Sequence, residues 1–317
     1  MNDLNYERTA VQTCAWTELP TALGGLWNTC MQSQDGSDVA RALTINLFAI
    51  AEAEQADALR EMTEQLYRHT PCRAFLLLLD EEATGDSAEL SATTRRRRSV
   101  RDIVLEEIVL RLRSEDLPRM PGLLRPLIFD DLPGHLYWSL PWPANEESFD
   151  TLAHLAQCAI VDSQGFGNPA RELPILEQRQ QNQQRITDLS WLRVQPWRRA
   201  LAEAFERLDW QPNTRVKGCV RHGKMARATA MLLSDWLHER LQAAITLEPD
   251  GHPESIGPDH VSLEIALKSG AIEIVIEMQQ DHLVTHVTTQ SHCYVPFRTA
   301  ALRGSTAKLL SLAIDAN

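Results

Sequence analysis

The chain has 317 residues, of which 44% are hydrophobic and 23% charged, and its formal net charge is −12 at pH 7. That length accommodates two cores, and the acidic balance argues against a general nucleic-acid binder, because phosphate neutralisation needs a positive surface. No apolar run approaches the roughly 18 residues of a membrane helix. The N-terminal MNDLNYERTAVQTCAW has no basic start followed by an apolar core, so it does not read as a secretory leader. The expectations are a cytoplasmic location and no membrane partner. Cys14, Cys30, Cys72, Cys158, Cys219 and Cys293 form no C-x-x-C pair and fit reduced thiols in such a compartment.

Residues 1–40 look helical or irregular, with breaks at Gly24-Gly25 and Asp35-Gly36. Residues 41–50 (RALTINLFAI) read as a buried strand. Residues 52–69 read as a helix with Ala56, Leu59, Met62 and Leu66 on one face, ended by Pro71. Residues 73–80 (RAFLLLLD) make a second apolar strand. Two such strands joined by a helix imply a parallel β-α-β pair covered by helices, with a right-handed crossover. A loop follows at 81–87. The four Arg of 95–98 read as a solvated edge or loop, with an anion site as the sharper alternative. Residues 104–113 read as a strand, 118–129 as a short helix, 130–134 as a turn and 135–140 as an aromatic-rich strand stopped by Pro141 and Pro143. A helix at 147–157 and a buried strand at 158–163 (CAIVDS) complete the alternation, which argues an open, largely parallel α/β sheet.

The polar run 177–184 (EQRQQNQQ) marks a boundary, giving an N-terminal α/β domain over 1–185 and a C-terminal α+β domain over 186–317. Pro196 suits a first helical turn. Trp197, Leu201, Ala204, Phe205 and Leu208 then form one stripe, after a short apolar segment containing Arg193. A strand at 215–221, a helix at 225–244 and a loop at 248–258 follow. The period then becomes two over 261–267 and 272–278 around a turn at Ser269-Gly270, with a third strand at 283–289. These make an antiparallel meander with one wet face, and a helix over 299–314 closes the chain.

No G-x-S-x-G, Walker or dinucleotide glycine pattern is present, so no catalytic residue, cofactor or metal ligand is assigned. Cys219, His222, His292 and Cys293 offer zinc-type ligands, but their spacing fits no standard module. Gly165-x-Gly167 follows the CAIVDS strand, where an α/β sheet can hold a ligand, and otherwise makes a plain turn. Asp130 and Asp131 fit either paired acid–base carboxylates or a cap and turn. Trp138 and Trp142, with Tyr137, form either core or a partner patch.

Residues 188–205, DLSWLRVQPWRRALAEAF, resemble the segment DLxWxRLxPWRxxLAxxF of the OpcA family, the glucose-6-phosphate dehydrogenase assembly proteins of cyanobacteria, actinobacteria and some other bacteria. The match includes Asp188, Leu189, Trp191, Arg193, Pro196, Trp197, Arg198 and Phe205. Residues 121–138 (PGLLRPLIFDDLPGHLYW) are similar to that family's pxLvxPLLLPDLPVxLWW. Residues 41–47 are similar to RAxxxNLVV, including Asn46, and 159–163 to xIVDS. Tyr137-Trp138 replaces a Trp pair, Asp130 replaces a Pro, and Val104-Leu105 stands where cyanobacterial members often carry Cys. The resemblance implies a non-enzymatic partner that binds glucose-6-phosphate dehydrogenase and promotes its active oligomer, raising oxidative pentose phosphate flux and NADPH supply. It makes Trp138, Trp142, Trp191, Arg193, Trp197 and Arg198 the candidate partner-binding residues, with domain locking as their alternative role. The competing reading is an α/β protein or enzyme that binds a sugar phosphate or nucleotide at its strand ends. The β-α-β unit, Gly165-x-Gly167 and the Arg run motivate it.

Overall fold

The computed structural model describes residues 6–31, 38–97, 100–142, 147–182, 185–208, 215–249, 259–267, 271–302 and 305–316. The chain divides into two compact units, each discontinuous in sequence. Unit 1 holds 1–161, 183–187 and 305–317, and unit 2 holds 162–182 and 188–304. In chain order the first elements are β1 (Tyr6–Arg8), β2 (Gln12–Ala15), α1 (Leu19–Met31), β3 (Asp38–Arg41), β4 (Ile45–Glu52), α2 (Ala56–Leu66), β5 (Cys72–Leu79) and β6 (Ser87–Arg97). Next come β7 (Val100–Leu112), α3 (Met120–Leu124), β8 (Gly134–Trp138), α4 (Glu147–Ala153), β9 (Cys158–Val161), α5 (Pro169–Gln181), β10 (Ile186–Asp188) and α6 (Leu189–Glu206). The remainder is β11 (Val216–His222), α7 (Arg227–Leu241), β12 (Ala244–Pro249), β13 (Val261–Leu267), β14 (Ile272–Gln279), β15 (His282–Thr289), β16 (Phe297–Ala300) and α8 (Thr306–Asp315).

In unit 1, β4 and β5 pair in parallel along their full lengths. Every residue of β5 is buried, and only Glu52 of β4 is exposed. Strands covered on both faces read as continuous apolar runs, which is why these two are plain in the sequence. Phe48 and Phe75 stack at 5.2 Å between ring centres, and α2 turns Ala56, Leu59, Met62 and Leu66 inward. The sheet order is β1-β6-β7-β5-β4-β8-β9-β10, with β2 also on β6 and β3 also on β7. The run β7-β5-β4-β8-β9 is parallel throughout. Its order reverses between β4 and β8, the arrangement of a doubly wound sheet. This is the expected open α/β architecture.

Several local readings change. The N-terminal segment contributes two strands, β1 and β2, antiparallel to β6. Residues 41–50 split: β3 pairs with β7, and β4 starts only at Ile45. The Arg run is no loop. Arg95, Arg96 and Arg97 lie on β6, antiparallel to β7, and Arg95 reaches Asp102 at 3.3 Å. A charged run can occupy a strand when the facing strand supplies acids. Arg98 and Pro143 fall outside the described residues.

Unit 2 carries a six-stranded sheet, order β12-β11-β13-β14-β15-β16. The β11–β12 pair is parallel and the others are antiparallel. The expected meander is its centre, and β13 alternates between buried and half-buried along its length. Its core joins Trp197, Leu201 and Ala204 of α6 to Leu233 and Leu237 of α7 and to Leu263, Ile265, Ile274 and Ile276 of the sheet. The predicted loop at 248–258 begins as strand β12, and residues 250–258 lie outside the described residues, as does the Ser269-Gly270 turn. The closing helix is shorter than expected, because 297–300 pair with β15 as β16. Among the described residues no helix is long and apolar enough to cross a membrane.

Candidate partner-binding site

Helix α6 begins at Leu189 rather than at Pro196. Asp188 is its N-cap, and the carboxylate accepts from the Ser190 amide at 2.9 Å and the Ser163 amide at 3.1 Å. A capping Asp satisfies amides that the helix itself leaves open. Pro196 therefore lies inside the helix, where it removes one backbone bond, and its ring is buried. Burial pushes the Asp188 carboxyl up to about 6, against the lowering effect of its hydrogen bonds. Beside it, Arg193 forks onto Asp162, with Nη1 to Oδ1 at 2.7 Å and Nη2 to Oδ2 at 2.8 Å. Bidentate geometry of this kind fixes orientation as well as charge. Two of the family-like blocks, 159–163 and 188–205, thus meet through Asp162, Ser163, Asp188 and Arg193, which are all in unit 2.

The other two blocks meet in unit 1. Asn46 donates to the carbonyls of Phe129 (2.9 Å) and Leu132 (3.0 Å) and accepts from the Phe129 amide (3.1 Å). Glu106, buried, binds Arg41 at 2.9 Å and Arg73 at 2.5 Å. Arg73 also donates to the Leu127 carbonyl and lies 3.7 Å from the Phe129 ring centre. These partners hold the 127–132 turn, on which Asp130 and Asp131 are exposed. Their place is that of turn residues.

The six candidate residues separate by burial. Trp138 is 2% exposed and Trp142 7%, and both pack on Phe149, with ring centres 5.4 and 5.2 Å away. Trp197 is 2% exposed in the core of unit 2. Arg193 is committed to Asp162. Trp191, 36% exposed, and Arg198, half-buried, remain at the surface of α6. The Arg198 guanidinium lies 5.2 Å from the Trp191 ring centre and 5.4 Å from that of Trp236 on α7, so it contacts two indoles, within cation–π range of each. Trp236 was absent from the sequence-derived set. The seven-residue offset of Trp191 and Arg198 is visible on one helix, but the approach of a second helix is not.

Two cavities adjoin these elements. In unit 2, one of about 410 Å³ is lined by Gln164, Arg193, Trp197, Thr229, Asp259 and Met278 among others. In unit 1, a cleft of about 170 Å³ lies at the carboxyl ends of β4 and β8, lined by Ala51, Gln55, Leu59, Tyr137, Ser139 and Thr306 among others. That is the switch point at which doubly wound sheets bind nucleotides. Here the β4–α2 turn reads Glu52-Ala53-Glu54-Gln55, where a phosphate cradle needs glycines and open amides. Burial raises the Glu52 carboxyl, and Glu54 and Glu81 add to the rise. Three carboxylates at the strand ends oppose a phosphate. The Arg run does not compensate: β7, β5, β4 and β8 separate its strand β6 from β9, which precedes Gly165. The possible zinc set is also dispersed. Cys219 sits on β11, and Cys293 bridges to Thr288 on β15, with β13 and β14 between.

Residues 63–181 match the N-terminal domain, and residues 184–315 the C-terminal domain, of the family described as "Glucose-6-phosphate dehydrogenase subunit". The chain belongs to the OpcA family. Among curated relatives of this family, the "Putative OxPP cycle protein OpcA" of Synechocystis is 31% identical over 181 residues, covering 54% of this chain and 37% of that protein. The protein of the same name in Nostoc punctiforme is 28% identical over 186 residues, covering 57% of this chain and 40% of its own length. The matched stretch therefore spans about two fifths of those relatives. Among solved structures, a levoglucosan dehydrogenase with NADH and L-sorbose is 9% identical, with 86% of this chain and 88% of that chain covered and a TM-score of 0.47. A likeness at that level carries no argument about activity.

Proposed function

We propose that this chain binds a glucose-6-phosphate dehydrogenase and favours its active assembly in the oxidative pentose phosphate pathway, without catalysing a reaction itself. The observation that carries this reading is the ordered match of both family domains, from residue 63 to residue 315. The residues the family pattern emphasises support it: Asn46, Asp162, Asp188 and Arg193 serve the fold, and no nucleophile–base pair is among them. The cytoplasm, where the pathway's enzymes and reduced thiols belong, is the corresponding location.

An activator of this kind must bind the active assembly of the dehydrogenase better than the inactive one, since equal affinity shifts nothing. A coupling of about 1–3 kcal/mol changes apparent substrate affinity about 5- to 150-fold. The test is the KM and Vmax of the cognate dehydrogenase for glucose 6-phosphate, with and without saturating amounts of this protein, together with the oligomer distribution by analytical ultracentrifugation. A lowered KM or raised Vmax with a shift to the larger species is expected. No change in kinetics or oligomer overturns the reading. A switch-point phosphate ligand is the weaker alternative, because the β4–α2 turn at that end of the sheet carries Glu52 and Glu54, and their negative charges, with that of Glu81, already act on one another.

A further inference from the structure

We propose that Arg198, with the indoles of Trp191 and Trp236 beside it, is a receptor for a carboxylate presented by the protein partner, flanked there by an aliphatic or proline side chain. This rests on the proposed partnership and names the surface and chemistry that would carry it. Three observations lead to it.

The first is geometric. Arg198 lies 5.2 Å from one indole centre and 5.4 Å from another, contributed by different helices of the same unit. Contact with aromatic faces engages the flat face of a guanidinium and leaves its N–H edges to bond, and those edges match a carboxylate in a bidentate fork.

The second is electrostatic. The chain has a net charge of −12. Of the neighbouring Arg residues, Arg193 on α6 takes Asp162 and Arg207, just past its end, takes Glu203, while Arg199 on the same helix is exposed to solvent and takes no part in the two indole contacts. Among the described residues Arg198 makes no ion pair or hydrogen bond, only its two aromatic contacts. A fixed cation without a carboxylate, in an acidic protein, is complementary to an acidic side chain from outside.

The third is composition. Trp191, at 36% exposure, is among the few large exposed apolar side chains of the described residues. Trp and Arg are the side chains that most often dominate binding at interfaces. An aliphatic or proline group beside the incoming carboxylate covers the indoles and excludes water from the ion pair, which strengthens it.

The experiment measures affinity for the cognate dehydrogenase by isothermal titration calorimetry with the full chain and three variants. Arg198→Ala removes the fork, Arg198→Lys keeps the charge but loses the planar fork, and Trp191→Ala removes the exposed wall. Circular dichroism and thermal midpoints check that each variant folds, as expected for half-exposed positions. Arg198→Ala is expected to weaken binding roughly 10- to 150-fold, the range of a hydrogen-bonded charge pair. Arg198→Lys is expected to recover only part of that loss, and Trp191→Ala to weaken binding by roughly tenfold. Binding that survives all three substitutions overturns this inference and leaves the partnership standing. Absence of binding by the unmodified chain overturns both. Full recovery in Arg198→Lys overturns the bidentate fork. Inorganic phosphate, compared with chloride at equal ionic strength, is expected to leave affinity unchanged, and selective competition by phosphate reassigns the receptor to a phosphate and overturns the carboxylate.

Discussion

Trp197→Ala separates a packing role from a binding role for the tryptophan at the centre of the family segment. Trp197 is 2% exposed and belongs to the core of unit 2 with Val194, Leu201 and Val261. A buried Trp removes about 150–250 Å² from water, which at about 25 cal/mol/Å² is about 4–6 kcal/mol. Measured Trp-to-Ala losses in cores run to about 3–5 kcal/mol. One side of Trp197 lines a cavity of about 410 Å³, so fewer neighbours lose contact there and the lower end applies. The expected loss is about 3 kcal/mol. Urea denaturation followed by far-UV circular dichroism measures it, with the slope of the transition checked for constancy. A loss under about 1 kcal/mol refutes the assignment of Trp197 to the core. A variant of normal stability that no longer binds the dehydrogenase places Trp197 in the interface instead.

Arg193→Met leaves Asp162 without its fork and is expected to cost about 1–2 kcal/mol in the same assay, the pair being partly exposed; a double-mutant cycle with Asp162→Asn should show a smaller loss than the sum of the two single variants. Asp188 has a folded pKa of about 6 above its unfolded 3.8, so the folded state takes up this proton first, and the contribution is complete below the unfolded pKa and lost as the pH rises through 6. The stability of Asp188→Asn relative to the unmodified chain is therefore expected to improve by up to roughly 3 kcal/mol between pH 4 and pH 7, measured by denaturation at each pH. Gly134→Ala sets a Cβ 2.8 Å from the Leu155 carbonyl oxygen and 3.3 Å from the Ala156 Cα, and a thermal midpoint lower by several degrees is expected from a cost of about 1–3 kcal/mol. A thiol reagent added to the native protein is expected to modify exposed Cys293 first and Cys14 and Cys219 more slowly, while Cys72, whose thiol is pushed far up by complete burial, reacts only on unfolding.

The sequence by itself determined the elements whose burial is complete or strictly periodic. Strands β4 and β5 are covered on both faces, so their apolar runs left no other reading, and the helix between them made the pair parallel. The alternation of β13 and β14 similarly fixed a sheet with one wet face. The family segment was legible because its residues carry side-chain bonds that few substitutions reproduce: Asp188 caps a helix, Arg193 forks onto Asp162, and Asn46 holds a turn.

What only the tertiary structure decided were the contacts that join distant residues. Pro196 suggested a helix start, but the amide of Ser163, remote in sequence, helps make Asp188 the cap, so the helix begins seven residues earlier. The Arg run looked solvated until β7 supplied Asp102 opposite Arg95. Six candidate side chains looked equivalent, and burial divided them: Trp138, Trp142 and Trp197 are core, while Trp191 and Arg198 reach the surface. The second indole beside Arg198 comes from Trp236, on a helix that follows after a strand. A pattern along the chain records which face of an element is apolar. It does not record which element lies against that face, and here that neighbour sets both the exposure and the charge balance of the candidate site.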